Sequence, residues 1–122
     1  MEAVFRGASG RLHRFRALRP GPGLPDQPGV YIFARPSREG LAWTPLYLSR
    51  TSNLQRRFAG HERWQEARML GATHVLVHTP EARDAREAVE ADLMFSLRPV
   101  LNGPFEGASP AHVATPLRRH AA

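Results

Sequence analysis

Two apolar runs separated by a short loop limit the fold of this chain more than any other feature. They are Val30-Tyr31-Ile32-Phe33-Ala34 and Trp43-Thr44-Pro45-Leu46-Tyr47-Leu48, with a loop over 35–40 between them. Adjacent strands joined by a short connection favour a hairpin. A further strand is predicted over 72–79, where Thr73, Val75 and Val77 alternate with His74, Leu76 and His78. Val4-Phe5-Arg6 and Leu12-His13-Arg14-Phe15-Arg16, around the turn Gly7-Ala8-Ser9-Gly10, read as an N-terminal β-hairpin.

Helical segments lie between and after the central strands. Thr51 and Ser52 offer N-caps for a helix running through Gly60, with Leu54 and Phe58 four apart as its buried stripe. Trp64, Ala67 and Leu70 mark a second short helix that Gly71 closes. Thr79-Pro80-Glu81 reads as a cap, a proline at the first helical position and an acid in the first turn. The helix that follows is predicted to reach about Leu97, stop before Pro99 and turn Ala85, Val89 and Leu93 inward. The expected fold is α/β (α+β): a small central, mainly antiparallel sheet flanked by helices, with the N-terminal hairpin extending or flanking it. Three regions are expected: a basic hairpin and the start of a linker over 1–24, a main domain over 25–102, and a flexible tail over 103–122. The stretch 21–28, rich in Gly and Pro, reads as the linker.

Length, hydropathy and charge narrow the function classes. At 122 residues the chain makes one domain. No stretch is long or apolar enough to span a bilayer. Arg6, Arg11, Arg14, Arg16 and Arg19 interrupt any signal-peptide core. No cysteine is present, which removes disulfides and thiolate chemistry and makes the cytoplasm the expected location. All 17 basic residues are arginine, and the net charge is +6. Arginine binds phosphate through a planar fork and keeps its charge, so polyanions are the expected partners. Residues 1–24 carry five arginines against Glu2 alone, +4 of that total.

The polar residues fall in a recognisable order. Gly29-Val30-Tyr31 is followed by Tyr47-Leu48-Ser49-Arg50, then Arg56-Arg57, His61, Glu90, Pro99 and Asn102. Tyr47 and Arg57 are ten apart, and Pro99 and Asn102 lie nine and twelve beyond Glu90. This pattern resembles the GIY-YIG nuclease superfamily over about residues 28–102. Gly29-Val30-Tyr31 stands as the first motif and Tyr47-Leu48-Ser49 as a degenerate second one, with Ser49 where the family carries glycine. The wider pattern also looks like small stand-alone bacterial GIY-YIG proteins.

The resemblance implies a divalent-metal-dependent endonuclease acting on DNA. It makes Tyr31, Tyr47, Arg57, His61 and Glu90 the catalytic candidates, with Glu90 the ligand of Mg²⁺ or Mn²⁺. One carboxylate is enough for an ion that keeps several waters and takes oxygens from the substrate. Arg57 would offset charge developing on the phosphate. His61, with an ordinary imidazole pKa of about 6.5, competes with Tyr31 and Tyr47 for the proton-transfer role. Arg50, Arg56, Asn102, Arg14 and Arg16 are the candidates for nucleic-acid contact. Glu87 and Asp92 lie off the motif and read as surface charge. His74 and His78 share a strand face but stand roughly 13 Å apart, too far for one ion. Two alternatives stay open: a catalytically weak or inactive nucleic-acid-binding module on the same fold, and a protein-interaction domain. A protein partner would then supply any DNA specificity.

Overall fold

The computed structural model describes residues 1–37, 42–80 and 82–105. Five strands, β1 (Glu2–Arg6), β2 (Leu12–Leu18), β3 (Gly29–Pro36), β4 (Trp43–Thr51) and β5 (His74–His78), form one sheet in the order β1-β2-β5-β3-β4. Every neighbouring pair is antiparallel. The expected mixed fold, its antiparallel sheet and its N-terminal hairpin are therefore present. Residues 38–40 of the expected 35–40 loop and residues 106–122 of the expected tail lie outside the described residues.

Alternation along β3 sorts the core onto two faces. Val30, Ile32 and Ala34 pack with Phe5, Phe15, Leu48 and Leu76, against Leu93 and Leu97 of α3 (Arg83–Leu97). Tyr31 and Phe33 point the other way, among Leu46, Leu54, Ala67, Val75 and Val77. That second face carries α1 (Leu54–Phe58) and α2 (Glu62–Met69). Leu93 and Leu97 are fully buried, each contributing about 1.5–3 kcal/mol of apolar burial.

The helix starts differ from expectation. β4 continues through Thr51, so the N-cap of α1 is Asn53, whose side chain accepts from the Arg56 N–H at 2.8 Å. The 21–28 segment, expected as a linker, is tied to α1. Leu24 is buried, and the carbonyls of Gln27 and Pro25 accept from the Leu54 and Gln55 N–H groups, donors that a short helix otherwise leaves unpaired. Close approach of α1 also explains Gly29, where a Cβ would meet a Leu54 methyl at 2.8 Å and the His78 carbonyl oxygen at 2.9 Å. α3 begins at Arg83 after Ala82, which makes no side-chain cap; Thr79 and Pro80 precede it, and Glu81 lies outside the described residues. Gly71 follows α2 with φ +100, as a helix-closing glycine should.

Asp92 is not idle surface charge. Its carboxylate accepts from the Ser9 N–H and the Ser9 hydroxyl, both at 2.7 Å, and pairs with His13 Nε2 at 2.8 Å. Burial would raise its pKa, but the hydrogen bonds from His13 and Ser9 outweigh that and hold it low. The carboxylate occupies the space a Cβ at Gly7 would need. The N-terminal hairpin is thus latched to α3.

Candidate functional site

Tyr31, Tyr47, His61 and Arg57 come together on the α1–α2 face. Register does part of this: Tyr31 of β3 stands opposite Ser49 of β4, and Phe33 opposite Tyr47. The Tyr31 and Tyr47 ring centroids are 6.3 Å apart, and His61 lies 5.7 Å from the first and 5.4 Å from the second. Phe33 is stacked against Tyr47 and meets the His61 ring edge-on at 4.9 Å.

His61 does not sit on α1 with Arg57, although the two are four residues apart. α1 ends at Phe58, and His61 is the N-cap of α2, only 6% exposed. Its Nδ1 accepts from the Arg63 N–H at 3.1 Å, and its Nε2 lies 2.7 Å from the Tyr31 hydroxyl. These two contacts assign the tautomer. A nitrogen that accepts from an N–H carries no proton, so neutral His61 has its proton on Nε2 and donates it to Tyr31 Oη. Neither ring nitrogen then offers a lone pair to a substrate. Burial first, and the charge of Arg57 second, lower the His61 pKa to about 4. The expectation of an imidazole titrating near neutrality is corrected: His61 is a neutral, fixed donor that orients Tyr31.

Burial pushes Tyr31 up to about 12, with Tyr47 adding to the rise and Ser49 and Arg57 opposing it. Its hydroxyl therefore stays protonated near neutrality, and the His61 contact leaves that proton free to be directed elsewhere. Ser49, where a glycine was expected, belongs to this group. Arg98 is the only non-glycine of positive φ among the described residues, so Ser49 imposes no backbone strain.

Arg57 and Arg56, neighbours on α1, point in different directions. Arg57 is half-buried beside Tyr31 and pairs with Glu62 at 3.3 Å, whereas Arg56 is exposed. The Glu62 contact is the main reason the Arg57 pKa is raised. Nothing in the motif spacing pointed to Glu62.

Glu90 lies on the other side of the sheet edge. It extends from α3 and meets Arg50 at 3.5 Å, while Arg50 also reaches Glu87 at 3.5 Å. Among the described residues, no hydrogen bond or ion pair joins Glu90 to Tyr31, Tyr47, Arg57 or His61. Burial raises the Glu90 pKa, with Glu87 adding to the rise and Arg50 opposing it. The two groups meet at consecutive residues of the edge strand, Ser49 with Tyr31 and Arg50 with Glu90.

Asn102, expected among the nucleic-acid contacts, is occupied with the backbone. Its Oδ1 accepts from the Leu48 N–H and its Nδ2 donates to the Leu48 carbonyl, both at 2.8 Å. It covers the open edge of β4 as a further strand would and so holds Tyr47 and Ser49 in place. Arg14 and Arg16 are exposed on β2, and Arg14 pairs with Glu2 at 3.3 Å. Arg16, Val77, Tyr31 and Ser49 stand in one cross-strand row. Directly opposed residues share a face, so Arg16 is on the Tyr31 face, about 10 Å away at the backbone.

The donor set limits what could bind at Glu90. Among the described residues, no three His, Asp or Glu side chains gather as a metal-holding group. His78 Nδ1 donates to the Arg14 carbonyl and His74 Nδ1 contacts the Thr73 hydroxyl, so these histidines are engaged locally. Glu90 alone fits an ion that keeps most of its water and takes the rest of its shell from a substrate, as Mg²⁺ and Mn²⁺ do. No helix of the described residues is long and apolar enough to cross a membrane. No protein-family model matches the chain, and no curated protein or solved structure is significantly similar to it.

Proposed function

We propose that this chain is a GIY-YIG-type domain that binds DNA and hydrolyses its phosphodiester bonds with the help of Mg²⁺ or Mn²⁺. The observation that carries the reading is the Tyr31–His61 hydrogen bond, with Ser49 opposite Tyr31 and Arg57 beside it, at the same strand edge at which Arg50 and Glu90 meet. Arg57 would offset the charge that builds on the non-bridging phosphate oxygens. His61 holds Tyr31 so that its hydroxyl proton faces the site, and Tyr47 completes the wall. Glu90 would hold the ion, which supplies Lewis acidity toward a phosphate oxygen and acidifies water when bound. A DNA substrate fits a cytoplasmic location. With no added DNA-reading domain over these residues, a protein partner would set any choice of site.

One observation favours a second reading, binding without cleavage. The Glu62 carboxylate beside the tyrosine group is paired with Arg57, and Glu90 is engaged by Arg50. Nicking assays on a panel of duplex, branched and single-stranded DNA, with and without Mg²⁺ or Mn²⁺, separate the two. Metal-dependent cuts that disappear in Glu90→Gln support the nuclease. Salt-dependent binding with no cuts in any metal leaves the binding module, and no DNA affinity at low salt removes both.

A further inference from the structure

Beyond the candidate catalytic group, one open cavity of about 490 Å³ is lined by Arg50, Thr51, Ser52, Arg83 and Arg86. Three guanidiniums and two hydroxyl-bearing residues thus face one space. The ion pairs of Arg50 and Arg83 are loose. Arg50 reaches Glu87 and Glu90 at 3.5 Å each, and Arg83 reaches Glu87 at 3.2 Å while its side chain is 79% exposed. None of these pairs is a close two-pronged fork. Arg86 is half-buried and donates to the Pro80 carbonyl at 3.3 Å, which steadies it. Arg83 and Arg86 also lie at the start of α3, the positive end of the helix dipole, where an anion is favoured over a cation.

We infer that this cavity is a phosphate subsite, built by Arg50, Arg83 and Arg86, that holds a second phosphate of the nucleic-acid backbone. The inference rests on the DNA-binding reading and extends it to residues outside the motif. Arg50 ties the two places together, because it follows Ser49 in the chain and contacts Glu90. A backbone phosphate in the cavity would sit beside the one addressed by Arg57 and Tyr31. Arginine forks match phosphate oxygens in pairs, and a cavity of this size accommodates the sugar as well.

The test is binding of a short labelled DNA duplex by the full chain, titrated over a range of salt without metal. Arg83→Ala/Arg86→Ala should weaken binding roughly tenfold and lower the log–log salt slope by about 0.9, the amount due to one neutralised phosphate. Glu87→Gln, which removes the carboxylate shared by Arg50 and Arg83, should tighten binding. Unchanged affinity and slope in both variants, with wild-type binding intact, overturns the subsite and leaves the DNA-binding reading standing. A wild-type protein without salt-dependent DNA binding overturns that reading and the subsite with it. Side-chain resonances of Arg50, Arg83 and Arg86 that shift with inorganic phosphate but not with DNA overturn the backbone as the source.

Discussion

Acid should weaken the fold through His61, and the size of the effect follows from how far burial and the charge of Arg57 lower its pKa. Nδ1 accepts from the Arg63 N–H. A protonated ring cannot accept there, so acid sets two donors against each other and uncaps α2. The folded pKa is about 4 against an ordinary 6.5. Between those values the unfolded chain binds more protons than the folded one, so stability falls as pH drops from 6.5 towards 4 and levels off below. The full separation corresponds to about 3 kcal/mol; screening by nearby solvent brings this to about 2 kcal/mol. Other groups titrate in or near this range. The His78 pKa is lowered, mainly by burial, which adds an effect of the same sign, whereas that of Glu90 is raised, mainly by burial, which adds one of opposite sign. A difference experiment removes both. His61→Asn keeps an acceptor for the Arg63 N–H and does not titrate. Urea denaturation of both proteins at pH 7 and pH 4 should show the wild type losing about 2 kcal/mol more than the variant. Equal losses would refute the assigned tautomer and the burial argument together.

Glu90→Gln should abolish metal-dependent nicking while leaving urea stability near wild type and DNA affinity undiminished, since glutamine keeps size and helix propensity but loses the charge that holds the ion and pairs with Arg50; undiminished cutting would remove Glu90 as the ligand. Arg57→Ala should lower the cleavage rate by about 10²- to 10³-fold, while exposed Arg56→Ala changes it by a few-fold at most, and equal effects would contradict the half-buried position of Arg57 beside Tyr31. Asn102→Ala should destabilise the fold by about 1–3 kcal/mol in urea denaturation, because the Leu48 N–H and carbonyl are both left without this partner. Neutralising Arg14, Arg16 and Arg19 together should flatten the salt dependence of DNA binding by up to about one unit of slope for each phosphate these arginines neutralise; an unchanged slope would leave them facing only water.

The strands and helices were legible because each rests on local patterning. Alternation over 72–79 and the apolar runs of 30–34 and 43–48 all fall within observed strands or overlap them closely. What misled at the helix starts was tertiary. Thr51 has the chemistry of a cap, but β4 runs through it to complete its pairing with Gly29. His61 has helical spacing from Arg57, yet the chain breaks at Ala59 and Gly60 and His61 opens the next helix. The Asp92 latch and the Asn102 clamp had no local signal at all. Ser9 is 83 residues from Asp92 and Leu48 is 54 from Asn102, and nothing in a neighbouring residue announces such a pairing.

The division of the motif residues between two sheet faces has a consequence for the substrate. Tyr31, Tyr47, Ser49, His61 and Arg57 pack with the α1–α2 core, whereas Glu90 extends from the helix on the opposite core. A flat approach to either face reaches only one group. An approach to the edge of β4 reaches both, because side chains alternate along a strand and consecutive residues there address opposite sides. Asn102 covers that edge at Leu48, one residue before Ser49. Beyond that clamp the edge continues through residues 49–52, where Arg50, Thr51 and Ser52 line the arginine cavity. A phosphodiester seated there would have Arg57 on one side and Arg50 with Glu90 on the other. The same placement makes Arg50 the residue that must choose between its carboxylates and the phosphate. Release of Arg50 from Glu87 and Glu90 on binding would free the Glu90 carboxylate for the ion in the same step that brings the substrate in.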